Sequence, residues 1–150
     1  MEATQVLTLP AILALGVVYG TDVFFAVVAR PALAKVSEAS LTEVMGRLHE
    51  YADRRMPFFG VLGMVCTLGL LVAAPGVLAA VALAAQAVHL GLYFGVAKPV
   101  NAALTAAATR GESLPDARRL QRRWDGVIIP RALLLGVALA CLALLAALSA

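Results

Sequence analysis

The chain has 150 residues, of which 62% are hydrophobic and 14% charged, with a formal net charge of +3. An ordinary soluble domain is about 45–50% apolar and about 25% charged. The mean hydropathy of +0.91 therefore excludes a disordered chain and argues for one integral membrane domain.

Four apolar stretches are long enough to cross a ~30 Å hydrocarbon core, which needs roughly 17–25 helical residues. They cover about 6–29, 57–74, 76–97 and 127–148. Backbone polar groups in lipid must be satisfied within the segment, so each is predicted to be helical. The fold class expected is all-α, a four-transmembrane-helix bundle.

Span one ends at Arg30-Pro31. The first long connection then holds Ser40-Leu41-Thr42-Glu43, which has the form of a capping box. It predicts an amphipathic helix to about Arg55, lying on the bilayer or across the bundle mouth, with Pro57 separating it from span two. Pro75-Gly76 leaves room only for a tight hairpin between spans two and three. Beyond span three, Pro99 is expected to bend the chain. An Ala-rich helix then ends at Arg110-Gly111, and Ser113 with Asp116 caps a further helix carrying Leu120 and Trp124.

The charges are distributed unevenly. All 12 Lys and Arg lie in the two long connections or, for Arg131, one turn into span four. The positive-inside rule puts those connections in the cytoplasm and both termini outside, in a bacterial inner (plasma) membrane. The basic balance is thus topology and attraction to lipid headgroups, and nucleic acid is not an expected partner. Ala32-Leu33-Ala34 has the form of a signal-peptide cleavage site, but residues 1–10 lack Lys and Arg, so cleavage is not expected. Cys66 and Cys141 sit in apolar runs and are read as small core residues.

Inside the spans, Asp22 lies eight residues from Arg30 and His89 nine from Lys98, so both are roughly 12–13 Å deep at helical rise. An intramembrane carboxylate normally faces the bundle interior and has a partner. His89 is the first candidate and Tyr19, one turn away, the second. Gln86, His89 and Tyr93 share one face of span three. Gly16/Gly20 and Gly91/Gly95 form GxxxG pairs that predict close helix packing. The Asp22–His89 pair reads either as a structural lock or as part of a pocket. His49 and Asp53 form an i, i+4 pair that reads as an ordinary surface pair, and no metal site is expected. Two histidines cannot ligate two bis-His haems. Trp124 reads first as an interfacial anchor.

Lys98-Pro99-Val100-Asn101, with Trp124 followed by Arg131, and Gly20 through Arg30-Pro31-Ala32-Leu33, resembles the DUF1772, anthrone-oxygenase-like family. The resemblance implies a four-helix membrane bundle. In some members it also implies cofactor-independent oxidation of a polycyclic anthrone by O₂. Projected onto this chain, the expected catalytic residues are His89 as base, Asp22 orienting it and Tyr93 as donor. Tyr19, Gln86, Asn101, Trp124 and Arg131 would hold a hydrophobic small molecule, with no cofactor. Besides lipid, a partner would be a second copy or another membrane protein. Two other classes stay open: a non-catalytic membrane subunit or assembly protein, and a small proton-coupled exporter using Asp22. The one-sided charge distribution favours a single orientation, unlike four-span exporters that insert both ways.

Overall fold

A computed structural model describes residues 3–149. Residues 1, 2 and 150, Glu2 among them, lie outside the described residues. The elements are α1 (Ala3–Phe24), a π-helical segment (Phe25–Ala29), α2 (Arg30–Leu33), α3 (Glu38–Ala73), α4 (Val77–Leu92), a second π-helical segment (Tyr93–Ala97), α5 (Lys98–Arg110) and α6 (Ala117–Leu148). No strand occurs among the described residues.

These elements join into four rods: α1 to α2, α3, α4 to α5, and α6. Each is long and apolar enough to cross a membrane. The two expected loop helices are not separate. The amphipathic segment runs straight through Pro57 into the apolar one as a single α3 of 36 residues. At 1.5 Å per residue that is about 54 Å, well beyond a ~30 Å hydrocarbon core. α5 continues α4, and the segment with Leu120 and Trp124 opens α6.

Pro31 and Pro99 end no helix. Each follows an Arg or Lys that closes a π-helical turn, with Arg30 N–H donating to the Phe25 carbonyl and Lys98 N–H to the Tyr93 carbonyl. A proline lacks its own N–H and crowds the preceding turn. The i→i+5 bond takes up that crowding without ending the rod. The α3 N-cap is Ser37, whose hydroxyl accepts from Ser40 N–H at 3.1 Å, three residues before the expected cap. Gly111 ends α5 at φ 69°, and Glu112 N–H bonds back to the Ala107 carbonyl, as a Schellman ending requires.

Consecutive rods are antiparallel. Leu15 meets Gly63 while Leu7 meets Gly69, and Gly46 meets Leu104 and Ala108. α1 packs along α3 and α6, α4 packs along α6, and α5 packs along α3. The two apolar cores form tiers. An upper, Ala-rich core (Ala11, Leu15, Ala79, Ala82, Ala138, Leu142) lies towards the Pro75 turn and includes Cys66, with Cys141 against it. A lower core (Phe25, Met45, Val100, Leu104, Trp124, Ile128) lies at the charged end. The expected GxxxG contacts are absent: a Cβ on Gly16, Gly20, Gly91 or Gly95 would meet nothing within 4 Å. The glycines that permit close approach are Gly46 and Gly63, whose surroundings leave no room for a methyl group.

Candidate functional site

Between the two cores lies a polar layer. α1 supplies Asp22, α4 supplies His89 and α6 supplies Arg131. Asp22 is buried at 3% exposure. Its Oδ1 accepts from Arg131 Nη2 at 2.9 Å, and its Oδ2 lies 3.1 Å from His89 Nε2. Arg131 Nε also lies 3.3 Å from that same His89 nitrogen. Nε2 cannot serve both neighbours. As N–H it donates to Asp22; bare, it accepts from Arg131. The shorter contact and the carboxylate charge favour the first, because a charge-assisted bond is the stronger one. In that tautomer Nδ1 keeps its lone pair, and it has no hydrogen-bond partner among the described residues.

A second cluster sits one turn lower. Asp53 Oδ1 accepts from the Tyr93 hydroxyl at 3.0 Å and from Asn101 Nδ2 at 2.9 Å, tying α3 to the third rod. The Arg131 guanidinium lies 5.8 Å from the Tyr93 ring centroid and so links the two clusters. Trp124 is not an exposed interfacial anchor. It is 3% exposed, edge-on to Phe25 at 5.2 Å and tilted against His49 at 5.6 Å. His49, read from sequence as a surface residue, stacks on Phe25 and is fully enclosed. Burial pushes its imidazole down to about 4; Asp53 opposes the shift and Arg131 adds to it.

Both clusters and the aromatic wall line one cavity of about 410 Å³. That is within the ~300–1,000 Å³ usual for small-molecule sites. Of the site residues expected from sequence, Asp22, Gln86, His89, Tyr93, Asn101, Trp124 and Arg131 line it. Tyr19 does not. It packs in the upper core with its ring at 3.4 Å from the Cβ position of Gly136. Gln86 Nε2 donates to Thr67 Oγ1 at 2.9 Å. Among the described residues, five buried side-chain polar atoms have no protein partner. Four of them, on His49, Gln86, Asn101 and Trp124, belong to cavity-lining side chains. An unmet buried polar atom costs about 1–3 kcal/mol. That cost falls mainly on the side chains around one cavity.

The pairing of Arg131 with Asp22 has its own signal in the sequence. Asp22 and Arg131 are the only Asp, Glu, Lys or Arg within the four apolar stretches, so charge neutrality alone pairs them. Phe25, His49 and Asp53 had no such signal, because their enclosure depends on α3 and α5 continuing past the apolar stretches. No group of three His, Cys, Asp or Glu among the described residues could hold a metal ion. Comparison with family models, curated proteins and solved structures gives no match for this chain.

Proposed function

We propose that the chain is an integral membrane protein that binds a largely apolar, weakly acidic small molecule and deprotonates it for direct reaction with O₂. The observation that carries this reading is the Asp22–His89–Arg131 constellation on the wall of a cavity of about 410 Å³. The membrane assignment is supported by the outer surface of the rods, where Leu13, Val27, Phe58, Val65 and Val72 stand exposed. The one-sided placement of Lys and Arg orients the charged end to the cytoplasm.

The chemistry is that implied by the resemblance to anthrone-oxygenase-like proteins. Nδ1 of His89 takes a proton from the acidic CH₂ of an anthrone. Asp22 holds the imidazole and accepts its Nε2–H. Arg131, with Nη1 uncommitted, donates to the oxygen that gains negative charge. The carbanion gives its electrons to O₂ and a C–O bond forms. The resulting peroxide anion takes the proton back from His89, and the neutral hydroperoxide then loses water to leave the ketone. One anthrone and one O₂ thus yield one anthraquinone and one water.

Turnover of a tricyclic anthrone in proteoliposomes, followed by anthraquinone absorbance, tests the proposal. His89→Ala should lower kcat by about 10²–10⁴-fold, the usual contribution of a positioned base. An unchanged rate removes His89 from the mechanism. A second copy or a membrane partner would find close-approach faces at Gly16/Gly20 and Gly91/Gly95. Native mass spectrometry from detergent reads that association directly.

A further inference from the structure

The cavity wall is incomplete between α3 and α4. These helices are joined by the short Pro75 turn, yet they touch far less than α3 touches α1 or α5, or than α4 touches α6. Side-chain hydrogen bonds tie the second rod to the third on either side of the gap, the lowest of them from Thr105 Oγ1 to the Gly46 carbonyl. Gln86 bonds to Thr67 near the turn, and Tyr93 and Asn101 bond to Asp53 at the charged end. Between these links, Val61 and Phe94 line the cavity and are nevertheless 62% and 54% exposed, more than a closed wall would leave them. A side chain that lines the cavity and stays this exposed borders an opening.

Gly60 stands in the same gap. It lines the cavity, and a Cβ there would meet nothing within 4 Å. Glycine inside a helix costs roughly 0.5–1 kcal/mol relative to alanine. Here no close packing accounts for it, but an unobstructed passage does. At the lower lip, the Lys98 ammonium stands 5.0 Å from the Phe94 ring centroid, one turn from the cavity residue Asn101. It supplies a positive charge at the level of the headgroups.

We infer that this gap is a lateral portal through which a membrane-dissolved apolar acid, its anionic oxygen trailing at Lys98, enters from the cytoplasmic leaflet. The inference rests on the cavity being a binding site, as proposed above, but not on the reaction run there.

Trp124 is the only tryptophan and lines the cavity, so its fluorescence reports entry without turnover. The probe is stearic acid carrying a nitroxide on its chain, added to protein in phosphatidylcholine nanodiscs; iodide is the aqueous comparator. Labelled stearate should quench Trp124 in the wild type, and Gly60→Phe should lose most of that quenching. Gly60→Ala should retain it, as should Gly16→Phe, which fills an equally open position away from the cavity. Iodide should have little effect on any of them. Equal quenching in Gly60→Phe and wild type, no quenching in wild type, or stronger quenching by iodide would each overturn the portal. Circular dichroism and size exclusion verify that Gly60→Phe is folded, and the milder Gly60→Leu serves if it is not. The two proposals fail separately. If the quenching pattern holds but His89→Ala keeps full turnover, the chemistry is wrong and the portal stands. If His89→Ala abolishes turnover and Gly60→Phe is quenched like wild type, the reverse is true.

Discussion

Replacing Arg131 with Met removes the one full positive charge facing Asp22. The carboxylate loses a 2.9 Å charge-assisted hydrogen bond and keeps only its contact with His89, at a site where its side chain is 4% exposed. Breaking a buried ion pair from one side costs about 3–5 kcal/mol, because the remaining charge is left uncompensated. That corresponds to roughly two to four orders of magnitude in the folding constant, at about 1.36 kcal/mol per tenfold. The double variant Asp22→Asn/Arg131→Met contains no stranded charge, and its Asn carbonyl still accepts from His89. It should recover at least about 2 kcal/mol relative to Arg131→Met, since removing both members of such a pair is often nearly neutral. Reversible unfolding in mixed micelles, read by far-ultraviolet circular dichroism, yields the four corners of the cycle. Additive single effects would refute the coupling and, with it, the view that this layer is held by mutual neutralisation.

Three further outcomes are expected. His49 has its imidazole pushed down to about 4 in the folded protein, against an ordinary value of 6.5. The unfolded chain then binds more protons as pH falls through 6.5, so stability declines down to about pH 4 and levels off below it. The loss is about 3 kcal/mol at 1.36 kcal/mol per unit. His49→Phe should flatten that slope in acid-denaturation curves, and an unchanged slope would assign it elsewhere. Gly46→Leu should destabilise the bundle by at least about 1–3 kcal/mol through overpacking, because even a methyl group would overlap Ala108 and the Leu104 carbonyl; a neutral melting shift would contradict that contact. In cells, a single cysteine at Gly76 should react with an impermeant maleimide added outside and one at Glu112 should not, with Cys66 and Cys141 replaced. The opposite pattern inverts the proposed orientation.

Hydropathy alone made the four apolar helices legible, and the angular spacing of Gln86, His89 and Tyr93 identified the face that lines the cavity. Depth counting brought Asp22 and His89 to the same level, and they meet at 3.1 Å. The lower tier was harder to read. Val44, Leu48 and Tyr51 resemble a buried stripe by hydropathy, yet they stand exposed. The face that packs is Leu41, Thr42, Met45, Gly46 and His49. Small and polar residues were selected there by the close approach of α5, and a hydropathy pattern has no term for that distance. Proline misled for a related reason. Reading Pro31, Pro57 and Pro99 as boundaries assumes the helix must stop. At Pro31 and Pro99 a π-helical turn satisfied the backbone, while α3 passed Pro57 with no interruption.

Those two π-helical turns have a geometric corollary. Each accommodates one surplus residue in a rod, and the two rods concerned, the first and third, stand diagonally across the bundle. Winding either bulge as regular α-helix with its surplus residue still in place would swing everything below it by about 100°. One corner of the charged tier would then present the wrong side chains while the Ala-rich tier stayed in register. The first residues of the bulges, Phe25 and Tyr93, both face the cavity, so the two tiers are indexed to one another at the pocket itself.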